Sequence, residues 1–134
     1  MNNLEKMKNA AEYAKNFIGI RYWWGGNDTS AGGLDCSGLV LECLRSVGLW
    51  GKEDASAQSI FTSLCSRALA VETIQAGDLL FFGQTRQKIT HIAIAISETS
   101  MIEAGGGDQK NSSGMVRMRP ITWRADMVCV LRVS

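Results

Sequence analysis

Apolar residues recur at helical spacing through the first half of the chain and alternate with polar ones in the second. Leu4, Met7, Ala11, Ala14 and Phe17 or Ile18 fall on one stripe of a helix over residues 4–18, and Gly19 suits its stop. From Cys36 the same period returns in Leu39, Val40, Cys43, Leu44 and Val47, with Asp35 placed to cap the start and Gly48 to end the run. A third helix over 55–68 would turn Ala57, Ile60, Phe61, Leu64 and Cys65 inward, against a high Ser and Thr content. After Ala76-Gly77-Asp78 the period shortens to two, and strands are expected at 79–82, 90–96, 101–104, 115–119 and 127–133. Helices first and strands second predict an α+β domain with helices packed on an antiparallel sheet.

The strand at 90–96 sorts its side chains cleanly: His91, Ala93 and Ala95 share one face, Ile92, Ile94 and Ile96 the other. Small alanines would let a helix approach closely, so the Cys36 helix is expected over the His91 face. Between the first two helices, residues 19–33 hold five glycines and the pair Trp23-Trp24, a loop built to approach another group closely. Cys36 is the expected neighbour.

Composition narrows the setting. A chain of 134 residues is read as one domain over 1–134. Net charge is +1, and each half carries seven Lys or Arg against seven and six acids, so no basic stripe points to nucleic acid. No segment approaches the roughly 18 apolar residues of a membrane span, and the N-terminal residues lack the core and cleavage site of a signal peptide. Synthesis in the cytoplasm follows, with the site of action open. Cysteines at 36, 43, 65 and 129 form no metal-binding spacing with the single histidine, so neither a metal nor another cofactor is expected. Cys43, Cys65 and Cys129 sit in apolar patterns and read as small buried residues.

Cys36 differs from the other three. A thiol in the first turn of a helix meets the positive end of the helix dipole and unpaired N–H groups, which favour its thiolate. The sole histidine, His91, opens the strand expected to face it, and such a pair is a nucleophile and its base. A third group to orient the imidazole is sought in Glu103 on the next strand. Positions 91 and 103 share a sheet face only if the hairpin loop has an odd number of residues or a bulge intervenes; Asp108 and Asn111 are the substitutes. The Cys36 N–H and the Tyr22 phenol are candidate donors to an oxyanion. The plain alternatives are a core or edge histidine, a solvated strand carboxylate, and core packing for Tyr22, Trp23 and Trp24.

Five blocks in order resemble the NlpC-like family of papain-fold cysteine peptidases that cut bacterial cell-wall peptides: Arg21-Tyr22-Trp23-Trp24-Gly25-Gly26, Leu34-Asp35-Cys36-Ser37-Gly38-Leu39-Val40, Ala76-Gly77-Asp78-Leu79-Leu80-Phe81-Phe82, Thr90-His91-Ile92-Ala93-Ile94 and Met101-Ile102-Glu103-Ala104. The resemblance implies a papain-like fold, with the catalytic cysteine at a helix N-terminus packed on a mainly antiparallel sheet of five to six strands. It implies Cys36 as nucleophile, His91 as base, Glu103 as orienting residue and Tyr22 as oxyanion donor, with Asp35, Ser37 and Trp24 on the substrate. The implied substrate is a peptidoglycan stem peptide, cut between the γ-carboxyl of D-glutamate and the following diamino acid through an acyl thioester. Glu103 departs from the family's usual histidine at the third position, and its charge would hold an imidazolium more strongly. The absence of a wall-binding domain leaves a phage lytic or tail component, an exported toxin or a recycling enzyme as settings, with phage or secretion-system components as partners. An amidase or acyltransferase using the same dyad, and a non-catalytic wall-binding module, stand as alternatives.

Overall fold

A computed structural model of the chain describes residues 1–22, 35–105 and 114–134. Its elements run α1 (Asn3–Ala14), α2 (Cys36–Ser46), α3 (Ala57–Leu64), β1 (Ala68–Ala70), β2 (Leu79–Thr85), β3 (Lys88–Ala95), β4 (Ser100–Gly105), β5 (Met115–Pro120) and β6 (Met127–Val133), with short 3-10 turns at Lys15–Phe17 and Ile121–Trp123. Each helix begins where a polar side chain satisfies a backbone N–H that the helix cannot. Asn2 accepts from the Glu5 N–H, Asp35 from Gly38 at 2.7 Å and Ser56 from Ser59. Gly19 and Gly48 sit beyond α1 and α2 with φ of 93° and 76°, as the two stops require.

The six strands form one antiparallel sheet in the order β1-β6-β2-β3-β4-β5. The α+β reading therefore holds, and β1 is the strand that periodicity missed, because three residues are too few to show alternation. Leu4 and Ile18, expected on the inner stripe of the first helix, are 37% and 45% exposed, and Cys65 is exposed just past the end of α3. Ile18 and Cys65 lie past the ends of their helices, and Phe17 takes the inward place beside Ile18; Leu4 sits in the exposed first turn of α1. Among the described residues, no helix is long and apolar enough to cross a membrane.

One expectation about packing is overturned. The helices cover the isoleucine face of β3, where Ile92 and Ile94 join Leu79, Phe81, Ile102 and Leu131 against Leu39, Leu44, Ile60 and Ala11. Phe61 of α3 meets Phe81 edge-on at 5.1 Å. Ala93 and Ala95 belong to a second, smaller cluster on the opposite face, with Leu80, Phe82, Met101, Ile121 and Val130, closed by Val71, Ile74 and Met127. Three helices need a broad apolar surface, and branched side chains supply more of it than alanines do. The small residues instead admit a thin cover of loop and 3-10 turn.

A bulge then sets the upstream end of β3. Phe82 pairs with His91 and Gly83 with Ile89, so Thr90 is an extra residue on β3. Ile89 consequently turns to the helix side while His91 stays on the alanine face, its ring 5.5 Å from that of Phe82. Gly83 is required here. A Cβ at this position would lie 2.2 Å from the Lys88 carbonyl oxygen, a contact no side chain survives.

Candidate active site

Cys36 and His91 are brought together from opposite sides of the sheet. The β3–β4 ladder among the described residues consists of Ile94–Ile102 and Ala95–Met101, and the two strands part beyond it. Helix α2 packs on both strands, and its first residue reaches the opening, where Cys36, His91 and Glu103 line one cleft of about 370 Å³. Cys36 flanks the His91 ring in that cleft, near enough to favour the protonated imidazole. On the other side of the ring, His91 Nε2 lies 2.7 Å from Glu103 Oε1, so Nδ1 is the nitrogen left for the thiol.

Glu103 meets the parity condition. The Ile96 N–H donates to the Ser100 carbonyl at 3.0 Å and closes a loop of three residues, an odd number, which puts positions 91 and 103 on one face. Both residues are buried, His91 at 6% exposure and Glu103 at 5%. Burial alone would drive a proton off the imidazole, but Cys36 beside it and the hydrogen-bonded Glu103 carboxylate outweigh it and push its pKa up to about 9. Burial likewise opposes ionisation of Glu103; His91, then Arg119 and Arg124, reverse this and hold its pKa below the ordinary value. The resulting state at neutral pH is an imidazolium held on a carboxylate. Cys43, two turns further along the same face of α2, shows the contrast: burial pushes its thiol up to about 12 and leaves it inert.

Tyr22 is 8% exposed and lines the cleft beside Cys36. It is held there because its N–H donates to the Gly114 carbonyl at 2.8 Å and Arg21 bridges to Met115, which attaches this segment to the β5 edge. Asp35 Oδ1 accepts from both the Gly38 N–H and the Ser37 hydroxyl, at 2.7 and 3.2 Å. Capping is thus what Asp35 does in the protein alone, and Ser37 is tied to the same oxygen. Trp24, Asp108 and Asn111 lie outside the described residues.

The cleft continues past Cys36 into a second lobe of about 310 Å³, lined by Asp35, Ser37, Asp54, Ser56 and Ile89. Asp54 is presented by the turn after α2, which Arg45 grips through the carbonyls of Gly51, Lys52 and Glu53. The two lobes have opposite character. Carboxylates of Asp35 and Asp54 mark one, while Arg119 and Arg124 line the other beside His91 and Glu103. Asp54, Arg119, Trp123 and Arg124 were not legible as site residues. Arg119 reaches Glu103 because β5 pairs Arg119 with Met101 and Arg117 with Glu103, a register that no periodicity in either strand encodes. Among the described residues no group of three or more His, Cys, Asp or Glu side chains is arranged to hold a metal ion.

Comparison with known proteins places this geometry in context. Residues 19–132 match the model of the NlpC/P60 family. A γ-D-glutamyl-L-lysine dipeptidyl-peptidase of Bacillus cereus is 35% identical over 94 residues, covering 67% of this chain and 26% of that protein. A probable peptidoglycan endopeptidase of Bacillus subtilis, LytE, is 30% identical over 100 residues, 75% of this chain and 28% of its own length. The chain thus spans about a quarter of these curated relatives. Among solved structures, the peptidoglycan hydrolase RipB of Mycobacterium tuberculosis superposes with a TM-score of 0.74 at 24% identity, over 98% of this chain and 65% of that one. The P60 domain of an antigen from M. avium subspecies paratuberculosis gives 0.72 at 21% identity, over 96% and 94%. At these identities the two structures establish the shared fold.

Proposed function

Since this chain belongs to the NlpC/P60 family, we propose that it is a cysteine peptidase acting on peptidoglycan stem peptides, cutting the amide between the γ-carboxyl of D-glutamate and the diamino acid that follows. The observation that carries the reading is the continuous line from Cys36 through His91 to Glu103 in one cleft. The activities named for the two Bacillus relatives support the substrate class.

In this mechanism the Cys36 thiolate attacks the γ-carbonyl carbon, and the carbonyl electron pair moves onto oxygen. The Cys36 backbone N–H and the Tyr22 hydroxyl donate to that oxyanion; losing one such donor costs about a hundred- to a thousandfold in rate. Collapse breaks the C–N bond as the His91 imidazolium gives its proton to the leaving nitrogen, so an amine departs and an acyl thioester remains. Neutral His91 then takes a proton from water while the water oxygen attacks the thioester carbonyl. Release of the free γ-carboxyl regenerates the thiolate and the imidazolium. Asp35 and Ser37 are assigned to the free amine of the stem peptide, in the lobe away from His91.

The test is digestion of purified muropeptides with product masses read by mass spectrometry. Wild type is expected to yield the γ-D-glutamyl cleavage products, and Cys36→Ala to yield none while keeping its circular dichroism and unfolding midpoint. Turnover by Cys36→Ala would overturn the nucleophile. Intact stem peptides with cleavage of another amide or an ester would move the chain to the amidase or acyltransferase reading.

A further inference from the structure

The division of the cleft into an acidic and a basic lobe gives the substrate a direction. His91 protonates the leaving nitrogen, so the leaving group must lie in the lobe that contains His91, which is the basic one. The acyl portion then extends over Asp35 and Ser37 into the acidic lobe. Charge agrees with proton transfer: a free amine fits one end, a carboxylate the other.

The two guanidinium groups of the basic lobe are not equivalent. Arg124 is engaged by Asp126 through two hydrogen bonds of 2.9 and 2.8 Å. Arg119 has no such partner. Its Nε forms an ion pair with Glu103 Oε2 at 3.6 Å, too long for a hydrogen bond, while Oε1 of the same carboxylate holds His91, and that buried Nε is without a hydrogen bond. Its Cζ stands 3.9 Å over the Trp123 ring, which fixes the plane of the fork, and Trp123 itself is 57% exposed at the mouth of the lobe. The buried Nε faces Glu103, which leaves the terminal nitrogens of the oriented fork, with no hydrogen bond to another described residue, to line the cleft beside the leaving-group position, where they match a carboxylate.

We propose that Arg119, propped on Trp123, receives a free carboxylate of the leaving diamino acid and makes cleavage selective for leaving groups that carry one. The inference rests on the stem-peptide reading above and names what that site selects. Two carboxylates can supply the chemistry: the α-carboxylate of the leaving residue, exposed when it ends the peptide, or the side-chain carboxylate that diaminopimelate has and lysine lacks.

The experiment measures kcat/KM on L-alanyl-γ-D-glutamyl-meso-diaminopimelate and on two derivatives, one with the α-carboxyl and one with the side-chain carboxyl of the leaving residue amidated. Wild type is expected to lose about ten- to a hundredfold on one of the amides, the size of a hydrogen-bonded charge left unpaired, and which amide it is identifies the carboxylate. Arg119→Gln should cleave acid and amide alike, whatever its absolute rate, and Arg119→Lys should keep a preference for the acid. The acid-to-amide ratio separates this role from any effect of Arg119 on Glu103, which acts on all three substrates equally. Trp123→Leu, at an exposed position, removes the stack and should lower the ratio without changing a charge. Equal cleavage of all three peptides by wild type, or an unchanged ratio in Arg119→Gln, overturns the inference and leaves the peptidase reading intact. Failure of wild type to cleave any of them overturns both.

Discussion

His91 is the residue on which the chemistry turns, because its protonation is decided by neighbours on both sides. Its folded pKa of about 9 lies above the ordinary 6.5, so the imidazole is protonated at neutral pH, as the proposed mechanism requires of it. Removing the Glu103 charge withdraws one of the two groups that hold that proton. Glu103→Gln should therefore shift the basic limb of the kcat/KM profile to lower pH and reduce turnover; an unmoved limb would show that Glu103 does not hold the charge. The same shift has a sign in stability. A raised folded pKa contributes stabilisation that is fully present below pH 6.5 and is lost as pH rises through about 9. Thermal unfolding of wild type should accordingly lose more over that window than unfolding of Glu103→Gln. Cysteine and histidine announced themselves by type, helix position and order in the chain. Glu103 was conditional, because its orientation hung on whether a loop held an odd or an even number of residues, and Arg119 was invisible because it arrives by cross-strand register.

At the scale of elements, α2 matters for where it begins. Asp35 caps the helix whose first residue is Cys36, the proposed nucleophile, and the same side chain is assigned in the proposal to the substrate amine. The two roles separate by substitution. Asp35→Ala should cost about 1 kcal/mol of stability through the lost cap, measured as a lower denaturant midpoint. Asp35→Asn keeps a capping oxygen and should retain that stability while raising KM for peptides with a free amine; an unchanged KM would confine Asp35 to capping. Strand β3 was legible as an alternating strand, and its two faces were assigned correctly residue by residue. Its bulge was not legible, since the insertion of Thr90 into the ladder depends on the partner strand and on the one glycine, Gly83, that allows the close approach.

For the molecule as a whole, the segment Ala76-Gly77-Asp78 closes the structure away from the cleft. Asp78 is 1% exposed and accepts two bonds from Arg132, at 2.9 and 2.8 Å, and one from the Gln75 N–H. Arg132 also holds the Thr73 carbonyl, so the pair ties the connection between β1 and β2 to β6. The aspartate in that block is thus a structural clamp. Asp78→Ala strands a partly buried guanidinium and should cost on the order of 3 kcal/mol, read as a lower unfolding midpoint with activity per folded molecule preserved. A loss of activity without a loss of stability would contradict this placement.

What the sequence determined by itself is local: the three helices, the Asp35 cap and the Gly19 and Gly48 stops, the alternation of the longer strands, and the residue types proposed as nucleophile and base, all consequences of periods and side chains within one segment. The tertiary structure decided which face of β3 the helices cover, where β3 and β4 part to admit the tip of α2, and which charges gather at each end of the cleft. Those outcomes depend on the total apolar area to be buried and on registers between strands distant in sequence. A residue's own neighbours along the chain carry neither quantity. The cysteine, legible from its helix start, becomes a candidate nucleophile with a directed substrate cleft only through that assembly.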